Sequence, residues 1–346
     1  MKHVGILYVF LLLIAAMVSC THSPERKVTR AFYYWKTVYK PTPYEQQRLS
    51  ELNAQRTYLR LCDMDWNHQT SEPYPLAVVR IPGVIPSNQA IVPVVFVTQA
   101  TLNNVARNKV TDLSLRIASI IQTICTEASI NPTEVQIDCD WTSTNKTTYF
   151  ALLRGLKQHP YMAGKLLSCT IRMHQIKYTT SSGIPPADRG LLMCYNMGNT
   201  RKTGNHNSIL DTKTAQQYLS GIGSYPLPLD VALPLFSWTL QFREARFVGI
   251  LRDVSPEMVK NSRLFEVKNK NEYACLKDTT WNGYELRTGD RLRTEAVSPP
   301  DLEKIAAYTA KRLNNTEVNI IFFSSDSLTL SKYLTNELET VYNTYL

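Results

Sequence analysis

Glycine is scarce in this chain, at 13 of 346 residues, and no Gly-x-Gly-x-x-Gly follows any strand-like run. That scarcity excludes a collagen-like fibre and leaves a dinucleotide-binding open sheet without its phosphate loop. A Gly-x-Ser-x-Gly elbow, a His-Glu-x-x-His helix and a Walker loop are all missing. The seven cysteines form no Cys-x-x-Cys pair, and the six histidines show no metal-ligand spacing. Structural zinc and thioredoxin-type chemistry are therefore unsupported, and no metal or other cofactor is expected. Beyond the N-terminus there is no second long apolar run, which excludes a multi-span membrane protein. The formal net charge is +9, yet Lys and Arg are scattered and no basic block lies beside stacking aromatics. Nucleic acid is not an expected partner; a basic surface facing anionic lipid or polysaccharide is.

What is present begins with residues 1–19, where Lys2 and His3 precede the apolar run Ile6–Ala16. The run is too short to stay as a membrane span and reads as a leader to be removed. Ser19 before Cys20 resembles the lipobox of bacterial lipoproteins, which implies a lipid on Cys20 as the first mature residue. Thr21, where an aspartate would signal retention, implies an outer-membrane address. Residues 20–29 would form a tether. The remaining cysteines, Cys62, Cys125, Cys139, Cys169, Cys194 and Cys275, are expected as buried thiols, because most sit in strand-like runs.

Residues 30–346 alternate apolar, β-branched runs with amphipathic ones. The pattern predicts strands at Ala31–Thr37, Thr57–Asp65, Ile91–Thr98, Glu134–Trp141, Leu166–Gln175, Leu191–Met197, Asp230–Trp238 and Val318–Phe323. Helices are predicted at Pro43–Ala54, Asp112–Ala128, Thr147–Gln158, Thr212–Gly221, Pro300–Leu313 and Ser331–Tyr342. Eight strands, several of them continuously apolar, alternating with helices predict an α/β fold, a (β/α)8 barrel closed by its first and last strands. The mixed polar stretch 241–294 reads as a small insertion between strands seven and eight.

Function in such a barrel gathers at the C-terminal strand ends. Strand two ends Asp63-Met64-Asp65-Trp66 and strand four ends Asp138-Cys139-Asp140-Trp141, the same Asp-x-Asp-Trp pattern twice. Alternation puts the members of each pair on one face, so four carboxylates would converge and raise at least one pKa. Asp140 is the expected general acid, tuned by Asp138, with Asp65 as a second carboxylate; Asp326 is the other choice for that role. Trp66, Trp141, His174, Tyr195, Trp238 and Asp326 are expected to bind substrate, since aromatic faces beside carboxylates suit sugar rings and their hydroxyls. The same four aspartates would also suit a divalent cation, and any one of them would suit a helix cap.

The segment Val135–Trp141 resembles the Asp-x-Asp-x-Glu motif of the chitinase-like glycoside hydrolases, and Met193-Cys194-Tyr195-Asn196 resembles their Met-x-Tyr-Asp. The resemblance implies a glycan partner and makes Trp238 the counterpart of an aromatic sugar floor. It breaks at two points: Thr142 stands at the family's catalytic Glu, and Asn196 at the Asp after the tyrosine. The whole mature chain further resembles a family of bacterial lipoproteins with glycosidase-like barrels, through Val135–Tyr149, Leu191–Gly198 and Leu229–Trp238. Two functions stay open on these residues: a lipid-anchored envelope protein acting on a glycan by carboxylate chemistry, or one that binds glycan or assists envelope assembly on a degenerate scaffold. The leader makes a direct prediction. Cys20→Ala should move the protein from the membrane fraction to the soluble fraction, and a variant that stays membrane-bound would refute the anchor.

Overall fold

The computed structural model describes residues 26–86 and 89–346; the expected leader and Cys20 lie outside the described residues. Eight parallel strands form the barrel: β1 (Lys27–Tyr34), β2 (Arg56–Asn67), β3 (Ala90–Val97), β4 (Glu134–Asp138), β5 (Leu166–Arg172), β6 (Arg189–Met193), β7 (Leu229–Pro234) and β8 (Glu317–Phe323). Each pairs with the next, and β1 pairs with both β2 and β8, so no edge is left open. The fold is the (β/α)8 barrel expected from the alternation. Because β1 starts at Lys27, residues 27–29 belong to the barrel and not to a tether.

The helices wrap the outside for readable reasons. Helix Val110–Glu127 buries Leu113, Ile117, Ile121 and Cys125, a four-residue spacing that makes one apolar stripe. Helix Pro299–Ala310 starts where the Ser298 side chain accepts from the Asp301 N–H, with proline in the first turn. Helix Pro43–Glu51 starts with a full capping box between Thr42 and Glu45. After β2 the chain doubles back as Glu72–Leu76, antiparallel to β2. Pro73 and Pro75 are tolerated there because the strand has no partner on its far side. Among the described residues no helix is long and apolar enough to cross a membrane, and the six cysteines described are free, buried thiols.

The insertion is larger than 241–294. A five-stranded antiparallel sheet takes in Trp238–Arg243 and ends with Arg291–Glu295, so the excursion leaves the barrel right after β7. It has its own small core of Leu251, Val259, Phe265, Leu286 and Leu292. Its hairpin Thr279–Leu286 turns at Asn282-Gly283, both at positive φ, the pairing a tight two-residue turn demands. Trp238 therefore does not end strand seven: it pairs with Glu295 inside the insertion's sheet.

The barrel interior is polar in layers. Near the N-terminal ends Asp230 accepts two hydrogen bonds from Arg189 (2.9 and 2.5 Å) and two from Asn319 (2.7 and 2.8 Å). Beside it Glu134 takes Arg56 (3.1 Å), the Tyr58 hydroxyl (3.3 Å) and the Ser168 hydroxyl (2.6 Å). Higher up, the Tyr33 hydroxyl donates to Gln136. Buried charge persists only when fully partnered. Asp230→Ala, which strands Arg189 and the Asn319 N–H, should cost about 3–5 kcal/mol in urea unfolding. A loss below about 1 kcal/mol, the range of an exposed ion pair, would show that this layer does not hold the barrel's lower end.

Candidate functional site

Asp138 is the last residue of β4 and the top of an inward-facing series, Glu134, Gln136, Asp138. It stands in lateral register with Phe96 of β3 and Asp63 of β2. One carboxylate oxygen accepts from the Thr170 hydroxyl at 2.7 Å, and only 8% of the residue is exposed. Burial pushes its pKa from the ordinary 3.8 to about 7, with Asp140 adding to the rise and Thr170 and Arg172 opposing it.

Asp63 reaches this row through a β-bulge. Between Arg60 and Cys62 the β2 register slips by one residue, so Arg60 and Asp63, three apart, share the inner face. Arg60 grips Asp63 through two hydrogen bonds of 2.7 and 2.6 Å, and its guanidinium lies 5.8 Å from the Trp35 ring centre. Asp65 accepts from the Thr98 hydroxyl at 2.8 Å, tying it to the cap of helix Gln99–Asn104. The four aspartates are thus dispersed among local partners. Among the described residues no three acidic, histidine or cysteine side chains gather as metal ligands.

β4 stops at Asp138, so strand alternation does not carry on to Asp140. Its carboxylate turns to the rim, 45% exposed, with Oδ1 3.2 Å from Nε of Arg172 at the end of β5. The Gln99 side-chain amide donates to its backbone carbonyl. Tyr195 follows β6 and is buried against Phe236 and Phe323, with ring centres 5.9 and 5.8 Å away. Its hydroxyl has no hydrogen-bond partner, and burial first, then Asp138, pushes its pKa well up. Asn196, at a φ of +55°, also holds a buried Oδ1 without a partner. These groups meet in a cleft of about 260 Å³ lined by Gln99, Asp140, Thr142, Arg172, His174, Tyr195, Asn196 and Tyr218. It is a polar recess at the barrel mouth holding two unsatisfied buried groups.

Of the other expected site residues, His174 and Trp141 line this cleft, while Trp66, Trp238 and Asp326 lie elsewhere. His174 lies on the short helix Met173–Lys177 at the cleft rim, with desolvation and then Arg172 holding its pKa below the usual value. The Trp141 ring is core: it stacks on Tyr149 at 5.0 Å and its indole N–H is taken by the Ser182 carbonyl. Trp66 lines a different cleft of about 570 Å³, with His68, Lys109 and Arg116. Trp238 packs on Phe236 at 5.4 Å and donates to Glu295, outside the 260 Å³ recess. Asp326 caps helix Ser327–Leu330, one oxygen bound to the Thr329 N–H and the other to the Ser324 hydroxyl. Arg60 and Thr170, the partners that govern Asp63 and Asp138, carry no sequence signal, because a bulge and a cross-strand neighbour set them.

Asp138 has a signed pH signature. The folded chain binds its proton more tightly than the unfolded chain, so this stabilisation is full below about pH 4 and lost as pH rises through about 7. Urea unfolding should show the wild type losing stability relative to Asp138→Asn across that window. A difference that stays constant from pH 4 to 7 would contradict the raised value.

Searches of protein-family models and of curated proteins return no match. Solved structures do match. The chain is similar to the spore cortex-lytic enzyme SleL of Bacillus cereus, at 11% identity and a TM-score of 0.54, over 92% of this chain and 75% of that one. It is similar to the GH18 chitinase ChiB of Flavobacterium johnsoniae, at 12% identity and 0.53, over 93% and 94%. A GH18 chitinase mutant of Cycas revoluta, solved with a tetramer of N-acetylglucosamine, matches at 11% and 0.51, over 92% and 100%. At such identities the likeness is one of fold alone, the (β/α)8 barrel.

Proposed function

We propose that the protein is a lipid-anchored envelope protein whose barrel mouth binds a glycan without cleaving it. The observation that carries this reading is the pair of unpartnered buried groups, the Tyr195 hydroxyl and Asn196 Oδ1, at a polar cleft. A buried polar atom without a partner costs about 1–3 kcal/mol; both atoms are closed to solvent in the ligand-free protein, so a ligand hydroxyl or amide recovers that cost by displacing the side chains that cover them. The N-acetylglucosamine tetramer in the Cycas revoluta chitinase structure supplies the first probe.

Against turnover stands the distribution of carboxyls. Thr142 lines the cleft where the related motif has its acid, and its hydroxyl is engaged with Thr144 at 2.8 Å. Asp140 is taken up by Arg172, with Oδ1 3.2 Å from the guanidinium Nε. Asp138, with a pKa near neutrality, favours hydrolysis as the second reading, but it is buried beneath the mouth and bonded to Thr170. Glycoside cleavage needs an acid open to the leaving oxygen. The anchor at Cys20 and an outer-membrane position rest on the leader and Ser19-Cys20-Thr21.

The test is a titration with N-acetylglucosamine tetramer and soluble peptidoglycan fragments, followed by assay for new reducing ends. Binding without cleavage is expected, and Tyr195→Phe should weaken it roughly three- to tenfold, the worth of one hydrogen bond. Release of reducing ends that Asp138→Asn abolishes would establish the hydrolytic reading instead. No binding to either probe would overturn the glycan site.

A further inference from the structure

The wall of the cleft is not self-supporting. Asn196 and Met197 open a long, polar excursion, residues 196–211, that contains few side chains able to form a core. Its neck is a narrow ladder: the Asn196 N–H donates to the Ile209 carbonyl at 2.8 Å and the Gly198 N–H to the Ser208 carbonyl at 3.1 Å. Gly198 is required there, because a Cβ at this position would stand 2.6 Å from Ser208 Cα. Beyond the neck the loop runs against the insertion, whose last strand carries Arg293 and Glu295.

Arg293 is 0% exposed and pairs with Glu295 at 2.6 Å. Its remaining N–H groups go to loop carbonyls: Thr200 at 3.3 Å, Gly204 at 3.1 Å, and Lys202. Glu295 uses its second oxygen on the Ser208 N–H (2.7 Å), the Ser208 hydroxyl (2.5 Å) and the Trp238 indole N–H (2.9 Å). Asn207 adds a bond to the Ala296 carbonyl at 2.7 Å. One buried ion pair thus satisfies both sides of a loop some 90 residues away. A buried pair is poor at stabilising a fold but good at selecting one arrangement, since every donor must find its acceptor.

We propose that Arg293 and Glu295 are positioning residues for ligand recognition: the insertion holds loop 196–211 in the one conformation that presents Asn196 and Met197 to the cleft. The consequence for the ligand rests on the glycan reading of that cleft; the clamp itself does not. A merely structural pair would instead lower the stability of the insertion and leave the loop and the cleft as they are.

The experiment uses hydrogen exchange on the ligand-free full chain together with a titration of N-acetylglucosamine tetramer. Arg293→Met should speed amide exchange in residues 196–211 at least tenfold while β1–β8 keep their protection. Should Arg293→Met fail to fold, Gly198→Ala opens the neck without touching the pair and should act on the same amides. Arg243→Met is the control, breaking the Arg243–Asp290 pair (2.8 Å) of the same insertion away from the loop. It should leave loop exchange and tetramer affinity unchanged, while Arg293→Met weakens affinity at least tenfold. Unchanged loop exchange in both Arg293→Met and Gly198→Ala, or equal effects from Arg243→Met, would overturn the clamp. If the wild type binds no tetramer, the glycan reading fails, while the exchange result still decides the clamp.

Discussion

The pairing of β1 with both β2 and β8 is the constraint on which the rest depends. Once the sheet closes, every second side chain of eight strands is committed to one narrow interior. Here that interior is charged and hydroxylated, so it must satisfy itself layer by layer, from Asp230 and Arg189 through Glu134 and Gln136 to Asp138. Asp138 is where the series reaches the mouth. Its raised pKa follows from that position, desolvated by the barrel wall with Asp140 and Asp63 nearby and a neutral hydroxyl as its direct partner.

The fold was legible because its signals are redundant. Eight runs alternating with amphipathic ones leave little room for another architecture, and the barrel strands differ from the expected ones mainly at their ends. Those ends are where the site sits, so small boundary shifts moved whole side chains. The sequence pattern carries strand alternation through Trp141, but the strand stops at Asp138; the chain turns, Asp140 swings to Arg172 and the Trp141 ring goes into the core. In strand five, His174 was expected on the strand and lies on a helix that begins at Met173. Trp238 has the pattern of a strand end, whereas long-range pairing with Glu295 makes it part of the insertion.

The chemistry was legible in part. The motifs mark Asp138 and Tyr195; Tyr195 lines the cleft and Asp138 lies just beneath it. Their governing contacts carry no such mark, because Thr170 and Arg60 act across strands or through a bulge, which no spacing rule encodes. The clamp of Arg293 and Glu295 is the extreme case, two residues in a weakly patterned segment that satisfy a loop far away in the chain. Polar residues with no local role are where sequence pattern is least informative and buried geometry most so.

Turnover and recognition of a glycan need different groups. Turnover needs a proton at the leaving oxygen; recognition needs polar groups free to bond in a shaped recess, and the Tyr195 hydroxyl and Asn196 Oδ1 lack partners beside one. The most direct measurement is a crystal structure of the protein with N-acetylglucosamine tetramer. The account predicts an intact sugar in the 260 Å³ cleft, with polar atoms within hydrogen-bond distance of the Tyr195 hydroxyl and the Asn196 side chain. A cleaved product there, or sugar bound only in the cleft beside Trp66, would contradict it.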